Sequence, residues 1–127
     1  MEKQLYQSEY VLKGNSLPNI WTSISTQGGL RRWFADDVQK LDDNHFRFIW
    51  NKQEKDAVIQ AFVPNDTIRF HWLDEEEGTF FEFKILNDEV TGTVSLSISD
   101  FALPDEIDDE LLLWTYNIEN LKRNIGV

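Results

Sequence analysis

The hydrophobic period changes along this chain, and the changes mark its elements. From about Gln4 to Lys13 apolar and polar positions alternate, with Tyr6, Tyr10 and Leu12 on one face and Gln7, Glu9 and Lys13 on the other, which predicts a strand. Gly14, Asn15 and Ser16 punctuate that segment. Pro18 then falls in a first helical turn, where its missing N–H costs least, and Leu17, Ile20, Trp21 and Ile24 recur at helical spacing. The spacing predicts a short helix capped by Asn15 or Ser16. Gly28 and Gly29 are expected to break it, with Leu30 to Phe34 forming a second helical turn that carries Trp33 and Phe34 inward.

From Asp36 to about Phe101 the period is two, interrupted by short polar gaps such as Asp42-Asp43-Asn44 and Pro64-Asn65-Asp66. Strands are predicted near Asp37 to Leu41, Phe46 to Asn51, Asp56 to Val63, Thr67 to Trp72, Thr79 to Leu86 and Thr91 to Phe101. Gaps this short make neighbours pair antiparallel. Alternation puts Phe46, Phe48 and Trp50 on one face, together with Ile68, Phe70 and Trp72, then Phe81, Phe83 and Ile85, then Val94, Leu96 and Ile98. The opposite face carries His45, Arg47, Gln60, Arg69, His71, Glu82 and Lys84 and is expected to meet water.

After Pro104 the period returns to helical. Ile107, Leu111, Trp114, Ile118, Leu121 and Ile125 form a single apolar stripe, with acidic residues from Asp105 to Glu110 in the first turns, Lys122 and Arg123 in the last, and Gly126 as the stop. A helix from Asp105 to Ile125 is about 32 Å long at 1.5 Å per residue, enough to span a sheet. The predicted fold class is α+β: a curved antiparallel sheet of about seven strands, in the order β-α-α-β6-α, wrapped around a long C-terminal helix.

Composition narrows the function classes. A length of 127 residues suits one domain, residues 1–127, and nine Phe, five Trp and three Tyr provide ample bulk for a core. A net charge of -11 makes nucleic acid and anionic lipid poor partners. The absence of Cys removes disulfides, thiol nucleophiles and thiolate metal sites. The N-terminal residues carry charge with no apolar segment behind them, and no apolar run approaches the length of a membrane helix. The expectation is a cytoplasmic protein without an export signal or membrane insertion.

The element order, together with Leu30-Arg31-Arg32-Trp33-Phe34-Ala35-Asp36, Phe46-Arg47-Phe48-Ile49-Trp50, Ile68-Arg69-Phe70-His71-Trp72 and Leu121-Lys122-Arg123-Asn124-Ile125-Gly126, resembles the START-like superfamily, also called SRPBCC. Within it the chain is similar to the branch named after activators of a heat-shock chaperone ATPase. The resemblance covers nearly the whole chain and implies a helix-grip fold. It also implies a cavity between sheet and C-terminal helix, where many members bind lipids, sterols, polyketides or other apolar molecules; some members are enzymes and some co-chaperones.

Catalytic and metal chemistry find little purchase. His45 and His71 alternate away from the apolar face, the acidic clusters lack the spacing of a calcium loop, and Gly28-Gly29 leads into no phosphate-binding motif. Ser95, Ser97 and Ser99 stand in no nucleophile elbow. No catalytic residue, metal or cofactor is assigned. The aromatic concentration is the remaining candidate: Trp21, Trp33, Phe48, Trp50, Phe70, Trp72, Phe81, Phe83, Trp114 and Ile118 are the expected lining of a ligand cavity, with indole N–H groups as orienting donors. The leading expectation is non-catalytic binding of a small apolar ligand, lipid-like or polycyclic. A protein-interaction or co-chaperone-like module acting through the acidic surface stands second. A cyclase-like or hydrolase-like enzyme using Tyr6, Ser8 or Tyr10 stands third.

Overall fold

The computed structural model describes residues 2–13 and 17–126. Strand β1 (Gln4–Val11) precedes two short helices, α1 (Leu17–Ser25) and α2 (Gln27–Arg31). The strands β2 (Asp37–Asp42), β3 (His45–Trp50), β4 (Gln53–Val63), β5 (Thr67–Trp72), β6 (Phe81–Asp88) and β7 (Thr93–Ala102) follow, and a 3-10 turn (Pro104–Glu106) leads into α3 (Ile107–Ile125). All the strands belong to one antiparallel sheet, ordered β1-β7-β6-β5-β4-β3-β2. The meander therefore ends by receiving the first strand against the last, and the architecture is the α+β arrangement that the periodicity predicts and the helix-grip fold that the resemblance implies.

Alternation decides which face is covered. Phe46, Phe48, Ile68, Phe70, Phe81, Phe83, Leu96 and Ile98 are buried on the inner face, and Ile20, Ile24 and Leu30 from the short helices close one end. From α3, Trp114, Ile118 and Leu121 are buried, while Ile107, Leu111 and Ile125 pack partly buried at the margins of the same core. Gly126 ends α3 with φ 80°, and its N–H donates to the Lys122 carbonyl.

Several boundaries differ from the sequence expectation, each for a local reason. Asp105 and Glu106 lie in the 3-10 turn, because Pro104 starts a tighter turn, so α3 has 19 residues and runs about 28 Å. Strand β6 begins at Phe81, since Thr79 closes a turn by donating its N–H and hydroxyl to the Glu76 carbonyl. Gly92, at φ 74°, turns the chain back with its N–H on the Asp88 carbonyl, which delays β7 to Thr93. The expected caps Asn15 and Ser16 lie outside the described residues.

The glycine pair has a different role from the one expected. Gly28 and Gly29 lie inside α2, and the break between the helices falls at Thr26, whose extended backbone and hydroxyl cap α2 by accepting the Gly29 N–H at 3.0 Å. Gly29 sits so close to α1 that a Cβ there would lie 2.0 Å from the Thr22 carbonyl oxygen. It is a contact glycine.

Strand β4 breaks its own alternation. The register shifts between Ile59 and Ala61, so Ala57 and Ile59 point inward before the bulge and Phe62 after it, where Phe62 meets Trp21 edge-on at 5.4 Å. The outer face carries a charged lattice: Arg47 grips Asp56 through two bonds of 2.9 and 3.2 Å, and Arg69 grips Glu82 at 2.7 Å. Both histidines sit on this face as expected, but neither is freely solvated. His45 Nε2 lies 3.1 Å from Asp56, and His71 Nδ1 lies 2.7 Å from the Thr79 carbonyl. Among the described residues no helix is long and apolar enough to cross a membrane.

Candidate functional site

Large rings stand on the inner face at the ends of β3, β5 and β6. Trp50 and Trp72, the last residues of their strands, stand beside Phe81, the first of β6; Trp72 and Phe81 stack at 4.7 Å. The segment after α2 delivers Trp33 and Phe34 onto this cluster, each held by backbone chemistry. Trp33 Nε1 donates to the Ser23 carbonyl at 2.8 Å, and Trp50 Nε1 donates to the Phe34 carbonyl at 2.9 Å, which ties β3 to the loop. Phe34 is the hub. It stacks on Trp114 at 5.6 Å and on Phe81 at 5.7 Å, and meets Phe48, Trp50 and Phe83 edge-on.

Between this aromatic wall and α3 runs a cleft of about 890 Å³. Trp33, Phe34, Trp50, Trp72, Phe81 and Trp114 form its apolar walls. On α3 a second stripe, Leu113, Asn117, Asn120 and Asn124, runs beside the buried one and faces the cleft, with Tyr116 at the lip. Arg31, Arg32 and Asp36 stand on the α2 side; Lys55, Asp100 and Glu110 also line the space. A smaller pocket of about 260 Å³, toward Lys3, Glu75 and Phe101, shares Lys55, Trp72, Asp100 and Glu110 with the cleft, so these four residues separate the two spaces.

Asp100 is the chemically distinctive member of that partition. Its Oδ1 accepts the Phe101 N–H at 2.7 Å, and its Oδ2 accepts the Tyr6 hydroxyl at 3.2 Å and Trp114 Nε1 at 3.1 Å. Trp114 Nε1 also lies 3.0 Å from the Tyr6 oxygen, so the three side chains form one closed network. Burial pushes the Asp100 carboxyl up to about 6 against those stabilising bonds, with Glu110 adding a smaller push, and burial raises the Tyr6 phenol likewise. The neighbouring lysines are engaged elsewhere: Lys3 binds Glu75 at 2.8 Å, and Lys55 lies 3.6 Å from Glu75 and 3.8 Å from Asp74. Among the described residues no cation pairs with Asp100 or Glu110, and no group of acidic or imidazole side chains is arranged to hold a metal ion.

The sign of the pH dependence follows. The Asp100 carboxyl is raised from 3.8 to about 6, so its contribution to stability is fully present below about pH 4 and is lost as pH rises through 6, worth about 3 kcal/mol at 1.36 kcal/mol per unit. Asp56 and Glu75, lowered by Arg47 and Lys3, act oppositely: they stabilise above the ordinary carboxylate range and lose that contribution as pH falls. A local reporter separates the effects. The indole N–H resonance of Trp114 is expected to titrate with a midpoint near pH 6, and Asp100→Asn to abolish the titration. A Trp114 resonance that is flat between pH 5 and 7 in the wild type would contradict this assignment.

The ten expected lining residues fall into three groups. Trp33, Trp50, Trp72, Phe81 and Trp114 line the cleft. Phe48, Phe70, Phe83 and Ile118 are fully buried beneath it and form its floor support rather than its surface. Trp21 lies apart, against Phe62. The expected role of the indole N–H groups as donors to a ligand also changes: those of Trp33, Trp50 and Trp114 are engaged inside the protein, and Trp72 alone of the four has no acceptor among the described residues. Asp100 and the α3 asparagines escaped the sequence reading, and Phe34, expected inward with Trp33, was not among the expected lining residues. Asp100 carried a usable signal, since it continues the inward phase of Val94, Leu96 and Ile98.

Comparison with known proteins places this geometry. The solution structure of BfR322 from Bacteroides fragilis is 40% identical, with 98% of this chain and 92% of that one aligned at a TM-score of 0.70. The solution structure of the Aha1 dimer from Colwellia psychrerythraea is 17% identical over 98% of this chain and 97% of that one, at a TM-score of 0.80. DynU16, a putative protein in the dynemicin biosynthetic locus, is 12% identical over 97% of this chain and 47% of its own, also at 0.80. The latter two show likeness of fold. No curated protein matches the chain. The family model described as a START-like superfamily domain matches residues 1–127, and the chain belongs to the START-like superfamily.

Proposed function

We propose that the protein binds a small, largely apolar ligand, lipid-like or polycyclic, in the cleft between the sheet and α3, and does not transform it. The observation that carries this reading is the cleft itself. Its volume of about 890 Å³ lies within the roughly 300–1,000 Å³ typical of small-molecule sites, and six aromatic side chains wall it. Those walls are held from behind by the Trp33 and Trp50 backbone bonds and by the Phe48, Phe70 and Phe83 floor, which supports a pre-formed site. Binding then costs little reorganisation.

The test is a thermal-shift and intrinsic-fluorescence screen of fatty acids, fatty alcohols, sterols, flavonoids, bile acids and alkylamines against the whole chain. A ligand that binds only the folded state stabilises it by about 2.7 kcal/mol at a hundredfold excess over Kd, which raises Tm by on the order of 10 °C for a domain of this size. A shift with at least one class, accompanied by a change in indole emission, is the expected result. No shift and no spectral change with any class would overturn the reading.

A protein-interaction role is the second reading. It is supported by exposed apolar side chains on α3, where Leu112 is 71% and Tyr116 63% accessible, beside the acidic first turn Asp108, Asp109 and Glu110. A negative ligand screen leaves it ahead.

A further inference from the structure

The inner end of the cleft has the chemistry to select the ligand's head group, an inference that rests on the ligand-binding reading above. We propose that the ligand is an amphiphilic amine, whose ammonium group sits against Asp100 at the partition while its hydrocarbon body lies along the aromatic walls.

The first argument is valence. A carboxylate has about four lone-pair sites, and the bonds from Phe101, Tyr6 and Trp114 occupy three of them, two on Oδ2 and one on Oδ1. One site on Oδ1 is left at a residue that lines both the cleft and the smaller pocket. Tyr6 and Trp114 have spent their donors on Asp100, so this end of the cleft offers an incoming head group an acceptor. A donor fits the free site on Asp100, while the one ammonium at the partition, that of Lys55, is turned to Asp74 and Glu75.

Charge is the second argument. Asp100 is mostly buried, and a buried carboxylate is stable when a cation compensates it. Lys3 and Lys55, the cations of this region, are both turned to Glu75, and the other group at the partition is Glu110, of the same sign as Asp100. Lys3 lies near enough to feel the Asp100 charge but makes its contact with Glu75, so among the described residues no cation touches Asp100, and the ligand's ammonium supplies that contact. An alcohol would satisfy the lone pair but leave the charge uncompensated.

The aromatic wall supplies the third. Trp72 already carries one ammonium on its face, that of Lys55, 4.5 Å from the ring centroid, so this surface is hospitable to cations. Arg31 and Arg32 also line the cleft, from the end of α2 and the residue after it, and the comparison with an anionic probe tests whether they outweigh Asp100. The overall charge of -11 favours approach of a cation over an anion.

The test compares three probes with the same body, dodecylamine, dodecanol and dodecanoate, each below its micellar concentration, by calorimetry on the full chain at pH 7.5. The amine is expected to bind about tenfold more tightly than either of the others, the difference that one charge-assisted hydrogen bond contributes. Asp100→Asn is expected to remove that preference while leaving dodecanol affinity within about threefold. Glu110→Gln, half-buried in the first turn of α3 and without a side-chain hydrogen bond or ion pair among the described residues, is the second variant, expected to weaken the amine by about threefold more than the other two probes. Equal binding of the three probes, tighter binding of dodecanoate, or an amine preference that survives in both variants would overturn the amine assignment while leaving the cleft as a ligand site. Binding of none of the three, or of any class in the wider screen, removes the ligand reading and the amine assignment together.

Discussion

A chain truncated before Asp105 is expected to lose cooperative folding altogether. The inner sheet face is apolar from β1 to β3, and α3 is its one long cover. Trp114, Ile118 and Leu121 are buried at 6% exposure or less, and Ile107, Leu111 and Ile125 pack on the margins. Burial of such side chains contributes about 1.5–3 kcal/mol each, so the six together exceed the typical 5–15 kcal/mol net stability of a domain or come close to it. Asp100 and Tyr6 would also lose Trp114, their shared donor. Calorimetry of the truncated chain should show no sharp endotherm; a cooperative transition retaining native-like enthalpy would show that the sheet is covered some other way.

The second large effect is predicted at a single methyl group. Gly29→Ala would place a Cβ 2.0 Å from the Thr22 carbonyl oxygen and 2.7 Å from the Ser23 Cα, both backbone atoms of α1 that cannot rotate away. The helices must separate. That separation pulls on the Thr26 cap and on the Ser23 carbonyl that anchors Trp33, so the cleft wall moves with it. A loss of about 3 kcal/mol or more is expected, at the upper end of overpacking changes. Gly28→Ala is the control. It meets nothing within 4 Å in the same helix, and replacing a helical glycine there should stabilise by about 0.5–1 kcal/mol. Equal effects of the two substitutions in a denaturant titration would refute the contact role of Gly29.

The contrast between those two glycines shows what the sequence can and cannot convey. A Gly-Gly pair near a helix end reads as a stop, because glycine's backbone freedom is its strongest local signal. The close approach of Thr22 is a tertiary fact that no local pattern encodes. The same division runs through the fold. The stripe from Ile107 to Ile125 and the alternation through β3, β5, β6 and β7 were legible because each repeats over several turns or residue pairs. The register of β4 was not, since a bulge between Ile59 and Ala61 switches its inward phase from odd to even positions.

At the cleft the limits are similar. Periodicity reports which residues face inward, but not which of the inward residues stop at the surface of a cleft and which lie beneath it. Phe48 and Trp50 share a phase, yet Phe48 is wholly buried while Trp50 lines the space, because only the latter stands at the strand's end. Asp100 was within reach of the same alternation. Its phase puts a carboxylate inside, against Tyr6 from the opposite end of the chain. The asparagines at 117, 120 and 124 left a fainter trace: they are weak helix formers set at helical spacing, where charged residues serve an exposed face better.

The most direct test of the ligand-binding account uses the five tryptophans as a map. Four of them, Trp33, Trp50, Trp72 and Trp114, line the cleft, and Trp21 packs on Phe62 away from it. In protein labelled with nitrogen-15, titration with the best ligand of the screen should shift the indole N–H resonances of those four, Trp72 most because its N–H has no acceptor among the described residues, and leave Trp21 in place. Shifts confined to Trp21, or no indole shift with any ligand class at saturating concentration, would contradict the account.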